Sequence, residues 1–393
     1  MTADIRSRLV FVGSQTDAIH GGVFGGLGEG VYAFRLDSPD LPLTPLGVAA
    51  LPDPTFLAVS RTRNVVYAAS HSVRFEGEPG AGVTAFRIDA DGSMMRINSQ
   101  RVAHPHVTMI ALDRQEQFLF AASSLGGAVS VLPVDPDGSI QPVVEVARFD
   151  GDILVAVGET PQPVPLPGRP GRTITAIPVY GPTTMPHCIC ATGDELIVAD
   201  IGSNAIERLT FDRATGRLWR KSRLTLSRRA GPRMLALHPN GDLFYSINEL
   251  DCTVSAFVFS RQSSAIQEVQ VISTLPDGAS GGQTAGGLVI HPSGRFLWAT
   301  NRVHNSIACF DVGPSGTLQH SGVLPSGGAF PIHLNLTPDG AHLYVSNAHS
   351  GQLCAFAIDA FTGELTAKAT TEVPGTCAVF LETAGRIPPG PGL

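Results

Sequence analysis

The stretch GPRMLALHPNGDLFYSINEL, residues 231–250, holds two short apolar runs joined by a polar turn. The second run alternates, and His-Pro-Asn-Gly between the runs is turn chemistry, so the stretch predicts an antiparallel hairpin. A charge stands at each open end: Arg233 just before the first strand, Glu249 just after the second. Whether those charges share a surface depends on what the hairpin is part of.

The hairpin recurs. Related units begin at 57, 110, 188, 235, 288 and 334. Each has an apolar strand A, a turn such as HPNG, HPSG or TPDG, an alternating strand B, a strand C, a second turn and a strand D. Four such strands recurring at roughly 40–50 residues are the pattern of a propeller blade. The ends complement each other. LVFVGSQ (9–15), GVYAFRLD (30–37) and LTPLGVAAL (43–51) read as strands B, C and D without an A, and TCAVFLETAG (376–385) reads as an A without a B. The expected fold is therefore all-β: a seven-bladed β-propeller of four antiparallel strands per blade. Pairing of the N- and C-terminal strands closes the ring, which removes the sheet edges of an open array. Residues 1–393 form one domain in this reading. The interval from 110 to 188 is too long for one blade and places an excursion loop at 150–185, around PQPVPLPGRPGR.

Composition agrees. The chain has 393 residues, 43% hydrophobic and 16% charged, with 43 Gly and 30 Pro, a mixture suited to short strands and many turns. The net charge is -7 and the only lysines are Lys221 and Lys368, which argues against a nucleic-acid partner or an anionic membrane surface. RKSRL (220–224) and SRR (227–229) make a small basic patch, read as a solvated strand edge. No run of about 18 apolar residues predicts a membrane span. MTADIRSRLVFVG lacks the apolar segment of a signal peptide. Cys188, Cys190, Cys252, Cys309, Cys354 and Cys377 fall mostly in apolar strands, where Cys serves as a small hydrophobe. The expected setting is reduced and cytoplasmic, and the expected state a monomer or weak homo-oligomer.

In a propeller the loop entering strand A and the loop leaving strand B open on one face of the disc. Arg233 and Glu249 then line a shared funnel. Before A lie Pro54, His106, His187, Arg233, Gln283 and His333. After B lie Gln15, His71, Ser123, Asp200, Asn248, Glu249, Asn301, Arg302, Asn347 and His349. This mouth is polar and ionisable, whereas the opposite mouth carries repeated turn sequences. Converging loops at such a mouth are where a site is expected.

The run AGPRMLALHPNGDLFYSINELDCTVSAFVF resembles the seven-bladed propeller lactonases, which include bacterial 6-phosphogluconolactonases of propeller type and fungal carboxy-cis,cis-muconate cyclases. The resemblance runs from FVGSQT (11–16) to TCAVFLE (376–382), with G-P-R before strand A and N-E-L after strand B as its most specific parts. PDPTFLAVS (52–60), VADIGSN (198–204) and TNR (300–302) support it. It implies His187, Arg233, Glu249 and Arg302 as catalytic residues. Gln15, His71, His106, Asp200, Asn248, Gln283, Asn301, His333, Asn347 and His349 are then candidates for contacting substrate. The chain departs from the family in IPVYGPTTMPH, which lacks an Arg-Gln pair and second His, and in ASSLGG, which replaces Asn-Tyr.

A lactone is a cyclic ester, and opening it needs a base for water and a donor for the developing oxyanion. Glu249 or His187 suits the first role. Arg233 and Arg302 suit the second, or clamp a carboxylate or phosphate. The resulting expectation is metal-free hydrolysis of a small anionic lactone with no cofactor. The alternatives are a muconate-type lactonising cycloisomerase and a non-catalytic binding or scaffold propeller. GASGG around Ser280 matches G-x-S-x-G, but a strand and not a helix follows, so it does not predict a nucleophile elbow.

Overall fold

The computed structural model describes residues 9–16, 28–102, 104–149, 163–165, 173–175, 184–260, 263–279, 283–375 and 377–381. These form seven four-stranded antiparallel sheets, arranged as the blades of a propeller. Blade 1 runs inside to outside as Cys377–Leu381, Leu9–Gly13, Gly30–Arg35 and Thr44–Ala50. Blades 2 to 7 begin with the inner strands Pro54–Val59, Val107–Leu112, Pro186–Thr192, Pro232–Leu237, Ala285–Ile290 and Pro331–Leu336. Their second strands are Val65–Ser70, Phe118–Ser123, Glu195–Asp200, Leu243–Asn248, Phe296–Asn301 and His342–Asn347. Consecutive inner strands contact each other all the way round the axis.

The ring closes as the complementary ends predict. Leu9 to Gly13 pair antiparallel with Leu381 to Cys377 on one side and with Arg35 to Val31 on the other. Apolar residues on alternate strand positions fill the seams between blades, among them Phe11, Phe120, Phe244 and Trp298, all essentially inaccessible to solvent. Burying a side chain of this size contributes about 1.5–3 kcal/mol. Tyr67 and Tyr245 stitch neighbouring blades by donating to the carbonyls of Gly138 and Gly316. The basic patch lies on an outermost strand, where Arg220 and Arg223 both pair with the fully buried Glu207 and Lys221 with Glu195. Most of the expected 150–185 excursion lies outside the described residues. Within it Pro163–Pro165 pairs with Thr173–Thr175 as a hairpin.

One local irregularity positions everything that follows. The inner strands of blades 2 to 7 begin two or three residues before the regular apolar run. In each, the pairing with strand B slips by one residue just inside the start. The positions that the register skips on strand A are Thr55, Thr108, His187, Arg233, the Gly286–Gly287 pair and Ile332. A β-bulge of this kind re-aims a side chain that a regular ladder would have sent to a sheet face.

Candidate active site

The bulged side chains converge. Thr55, Thr108, His187, Arg233 and Ile332 line one cleft at the mouth of the channel, together with His71, Phe56, Met234 and His333. The cleft encloses about 480 Å³ including its open mouth. Phe56, Met234 and Ile332 give it an apolar wall; the imidazoles and Arg233 face it with polar groups. Thr108 Oγ1 lies 3.3 Å from the His187 carbonyl and so ties the bulge of blade 3 to that of blade 4. Blade 6 contributes glycines at the equivalent place, and the absence of a side chain there is used. The Gly286 carbonyl accepts a 2.8 Å hydrogen bond from Arg233 Nη1. A Cβ on Gly286 would stand 2.7 Å from the Pro331 carbonyl and from Thr300 Oγ1, and 3.1 Å from Arg302 Cγ.

Behind the cleft sits a charge cluster. Glu249 is held between two buried arginines, with Arg233 Nε 2.9 Å from Oε2 and Arg302 Nη2 2.6 Å from Oε1. The Arg233 contact is a close ion pair, not an aligned hydrogen bond, since Nε has no partner of hydrogen-bond geometry. Burial alone would raise the Glu249 carboxyl; Arg302 and Arg233 outweigh it and hold the group below its ordinary value. Burial and the charge of Arg302 lower Arg233 to about 10, which leaves it protonated at neutral pH. Two positive charges and one negative leave the cluster with one positive charge in excess.

The imidazoles are lowered as well, which for them favours the neutral form. Burial, then Arg233, Arg302 and His71, hold His187 well below the ordinary histidine value, and its Nδ1 is buried without a hydrogen-bond partner. Burial and Arg233 lower His333 to about 4. Both rings are therefore neutral at pH 7. His333 also meets the Phe56 ring edge-on at 5.5 Å, which fixes it against the apolar wall.

The matching family model, "Lactonase, 7-bladed beta-propeller", spans residues 9–381. The chain belongs to the seven-bladed β-propeller lactonase family. A 6-phosphogluconolactonase of Bacillus subtilis strain 168 is 30% identical over 359 residues, covering 90% of this chain and 95% of the relative. A 6-phosphogluconolactonase of Pectobacterium atrosepticum is 27% identical over 73% of this chain and 77% of its own length. Among solved structures, a protein from Lactobacillus plantarum superposes with TM-score 0.81 at 23% identity, covering 96% of this chain and all of its own. A periplasmic gluconolactonase of Pseudomonas aeruginosa gives 0.79 at 24%, covering 95% and 99%. At these identities the two structures speak for the fold alone.

Within this lactonase propeller the sequence-derived residues divide. His71, His187, Arg233 and His333 line the cleft. Glu249 and Arg302 stand behind it, and Arg233 and Arg302 both pair with Glu249. Asp200, Asn248, Asn301 and Asn347 end strand B in four blades, but all four side chains are spent on neighbouring turns, loops and strands. Asp200 accepts the amides of Met185 and Ser203. Asn248 donates to Thr253 and Ser255, Asn301 to the Thr274 carbonyl and Ser306, and Asn347 to the Ser326 carbonyl. They brace the B–C turns and the loops entering from the preceding blade and are not among the cleft residues, because a polar side chain at a ladder's last position finds backbone and hydroxyl partners within reach. His106 lies beneath His71, ring centroids 4.2 Å apart. His349 stacks on Phe330 at 3.9 Å. Gln15 and Gln283, both half-buried, are also absent from the lining. Ser280 lies outside the described residues.

Sequence reasoning missed Thr55, Thr108 and Ile332. The signal was present: each occupies the place in its blade that His187 and Arg233 occupy in theirs. Among the described residues no group of three or more His, Cys, Asp or Glu is placed to hold a metal ion, and no helix is long and apolar enough to cross a membrane.

Proposed function

We propose that this chain is a hydrolase that opens a small anionic lactone, with neutral His187 as general base and Arg233 as the group that polarises the carbonyl. The observation that carries the reading is the pairing of His187 and Arg233 on the bulges of adjacent blades, in one cleft. Water attacks the lactone carbonyl carbon and His187 takes its proton. The developing oxyanion faces Arg233, whose guanidinium is pre-aimed by Glu249 and the Gly286 carbonyl and needs no rearrangement as charge develops. The ring C–O bond then breaks, the leaving alkoxide recovers the proton, and a hydroxy acid departs. Glu249 is assigned to anchoring: a carboxylate held below its ordinary value by two arginines is a weak base. The single excess positive charge favours an anionic substrate. The relatives named 6-phosphogluconolactonase support a sugar-acid lactone, and six free thiols support action in a reducing, cytoplasmic setting.

The apolar wall of Phe56, Met234 and Ile332 also suits the planar carbon skeleton of an unsaturated acid, which favours lactone formation by a muconate-type route as the second reading. A panel of aldonolactones, their phosphorylated forms and muconolactones, assayed in both directions, separates the two. Expected is hydrolysis of at least one anionic lactone, retained in EDTA, with Arg233→Lys lowering kcat/KM because lysine cannot reproduce the guanidinium fork. Failure to turn over any lactone in either direction overturns the enzymatic reading. Loss of activity in EDTA with recovery on a divalent ion overturns the metal-free mechanism.

A further inference from the structure

Four blades share an unusual backbone geometry just before the inner strand. Asp53, His106, Gly231 and Phe330 have φ of 45°, 59°, 65° and 62°. Each immediately precedes the first residue of its inner strand, in blades 2, 3, 5 and 7. In each, its carbonyl accepts the amide of the residue that follows strand B: His71 to Asp53, Ser124 to His106, Glu249 to Gly231 and Ala348 to Phe330, at 2.8–3.0 Å. In these four blades the entry to strand A demands a left-handed residue, whereas the carbonyls of Met185 and Thr284 make the same bond in blades 4 and 6, with the amides of Ile201 and Arg302, without one. Glycine meets the demand without steric cost in blade 5. Aspartate tolerates it in blade 2, where its carboxylate also takes the Thr16 amide at 2.8 Å. A phenylalanine there is a true outlier, and an imidazole is unusual.

The two aromatic residues have the same neighbour in the repeat. The His106 ring lies 4.2 Å from the ring of His71, the first residue after strand B of the preceding blade. The Phe330 ring lies 5.3 Å from Cζ of Arg302, the first residue after strand B of its own preceding blade. His71 lines the cleft; Arg302 grips Glu249, which grips Arg233. Neither His106 nor Phe330 lines the cleft itself.

We infer that His106 and Phe330 are positioning residues, retained at strained backbone positions because their rings fix the side chains of His71 and Arg302. The inference rests on the lactonase reading for its kinetic consequences and on geometry alone for its structural ones. Strain kept at a site where glycine would serve is expected only if the side chain is used.

The test separates ring from backbone. Asparagine accepts the left-handed conformation and has no ring; tyrosine or phenylalanine keeps the ring and the strain. His106→Asn and Phe330→Asn should melt at or above the wild-type temperature yet lose about tenfold or more in kcat. His106→Phe and Phe330→Tyr should keep kcat within about threefold without gaining stability. His106→Ala and Phe330→Ala lose the ring and keep the strain, so they should melt below the Asn variants. A purely structural role would make activity follow stability across the series. NMR reads the same positioning without substrate: His71 ring signals should stay sharp in His106→Phe and broaden in His106→Asn, with Arg302 Nε–H behaving likewise in the Phe330 pair. Asn variants with full turnover, or with sharp His71 and Arg302 signals, overturn the inference. If the lactone panel is blank while the NMR contrast holds, the activity reading fails and the positioning stands.

Discussion

The two mouths of the channel are built from opposite ends of the same strands, and both carry histidines. At the turn mouth, His238 and His291 face the next blade's turn, Nε2 of each 3.1 Å from the carbonyl of Gly294 or Gly340. Their rings also organise their own turns, since Nδ1 accepts the amides of Asn240 and Ser293. At the other mouth, His187 and His333 keep Nδ1 buried with no hydrogen-bond partner, and burial depresses both rings. One residue type in one repeat has become a structural clip at one end and a titratable group at the other. For His187 the difference is the bulge itself; His333 follows the bulged Ile332 and pairs in register with Ser346. A regular turn offers backbone carbonyls at hydrogen-bond distance, whereas a bulged residue is aimed away from its ladder into the channel.

Matched substitutions at the two mouths test that contrast. His187→Asn should lower kcat by about 10²–10⁴-fold, the range for losing a general base, with little change in melting temperature. His291→Ala should leave kcat unaltered. Equal losses in steady-state kinetics at both positions would break the distinction.

Glu249→Gln should be nearly as severe, through stability. It leaves Arg233 and Arg302 buried without their counter-charge, a loss of about 3–5 kcal/mol when one partner of a buried pair is removed. Urea unfolding measures it, and a wild-type midpoint would show that the arginines do not depend on Glu249. Arg220→Ala on the outer rim provides the contrast: Arg223 still pairs with Glu207 there, so about 1 kcal/mol or less is expected.

The imidazoles of the bulged mouth should also make folding acid-sensitive. His333 titrates near 4 in the folded protein against 6.5 for an unperturbed group. Above 6.5 it is neutral in both states and stability is at its full value. As pH falls, the unfolded chain takes up the proton first, so stability is lost between about 6.5 and about 4 and then levels off. His333→Leu should flatten that part of a melting-temperature profile. An unchanged slope would mean that His333 does not carry it. A similarly small effect belongs to the turn mouth: His291→Ala should cost about 1 kcal/mol by calorimetry, the worth of a hydrogen bond.

The fold was legible because its causes are local. Alternation in LFYSIN, FLWATN and HLYVSN sends successive side chains to opposite faces, and Pro-Asn-Gly, Pro-Ser-Gly and Pro-Asp-Gly force the reversals between strands. The unpaired B strand at residues 9–13 and the unpaired A strand at 377–381 required each other. The mouth bearing the site was legible for the same reason. The members of the site were only partly so. Polarity after strand B selected Asn248, Asn301 and Asn347, whose amides are consumed by neighbouring hydroxyls and loop carbonyls, and passed over Thr55, Thr108 and Ile332, which reach the cleft. A bulge leaves no compositional mark. It arises where strand A must leave its ladder to meet its neighbours around the axis, and one residue of register decides which side chain enters the channel.

By itself, then, the sequence determined the seven blades, the ring closure and the polar mouth, because alternation and turn chemistry act over a few residues. It also placed Arg233 and Glu249 at one edge. Only the tertiary structure decided that Arg302, from the next blade, completes the grip on Glu249, that Gly286 leaves room for Arg233, and that the imidazoles are neutral. Those outcomes depend on burial and on charges and imidazoles brought together from different blades. No window of sequence contains them, since the energies involved are set by the distance between chains and the water excluded from between them.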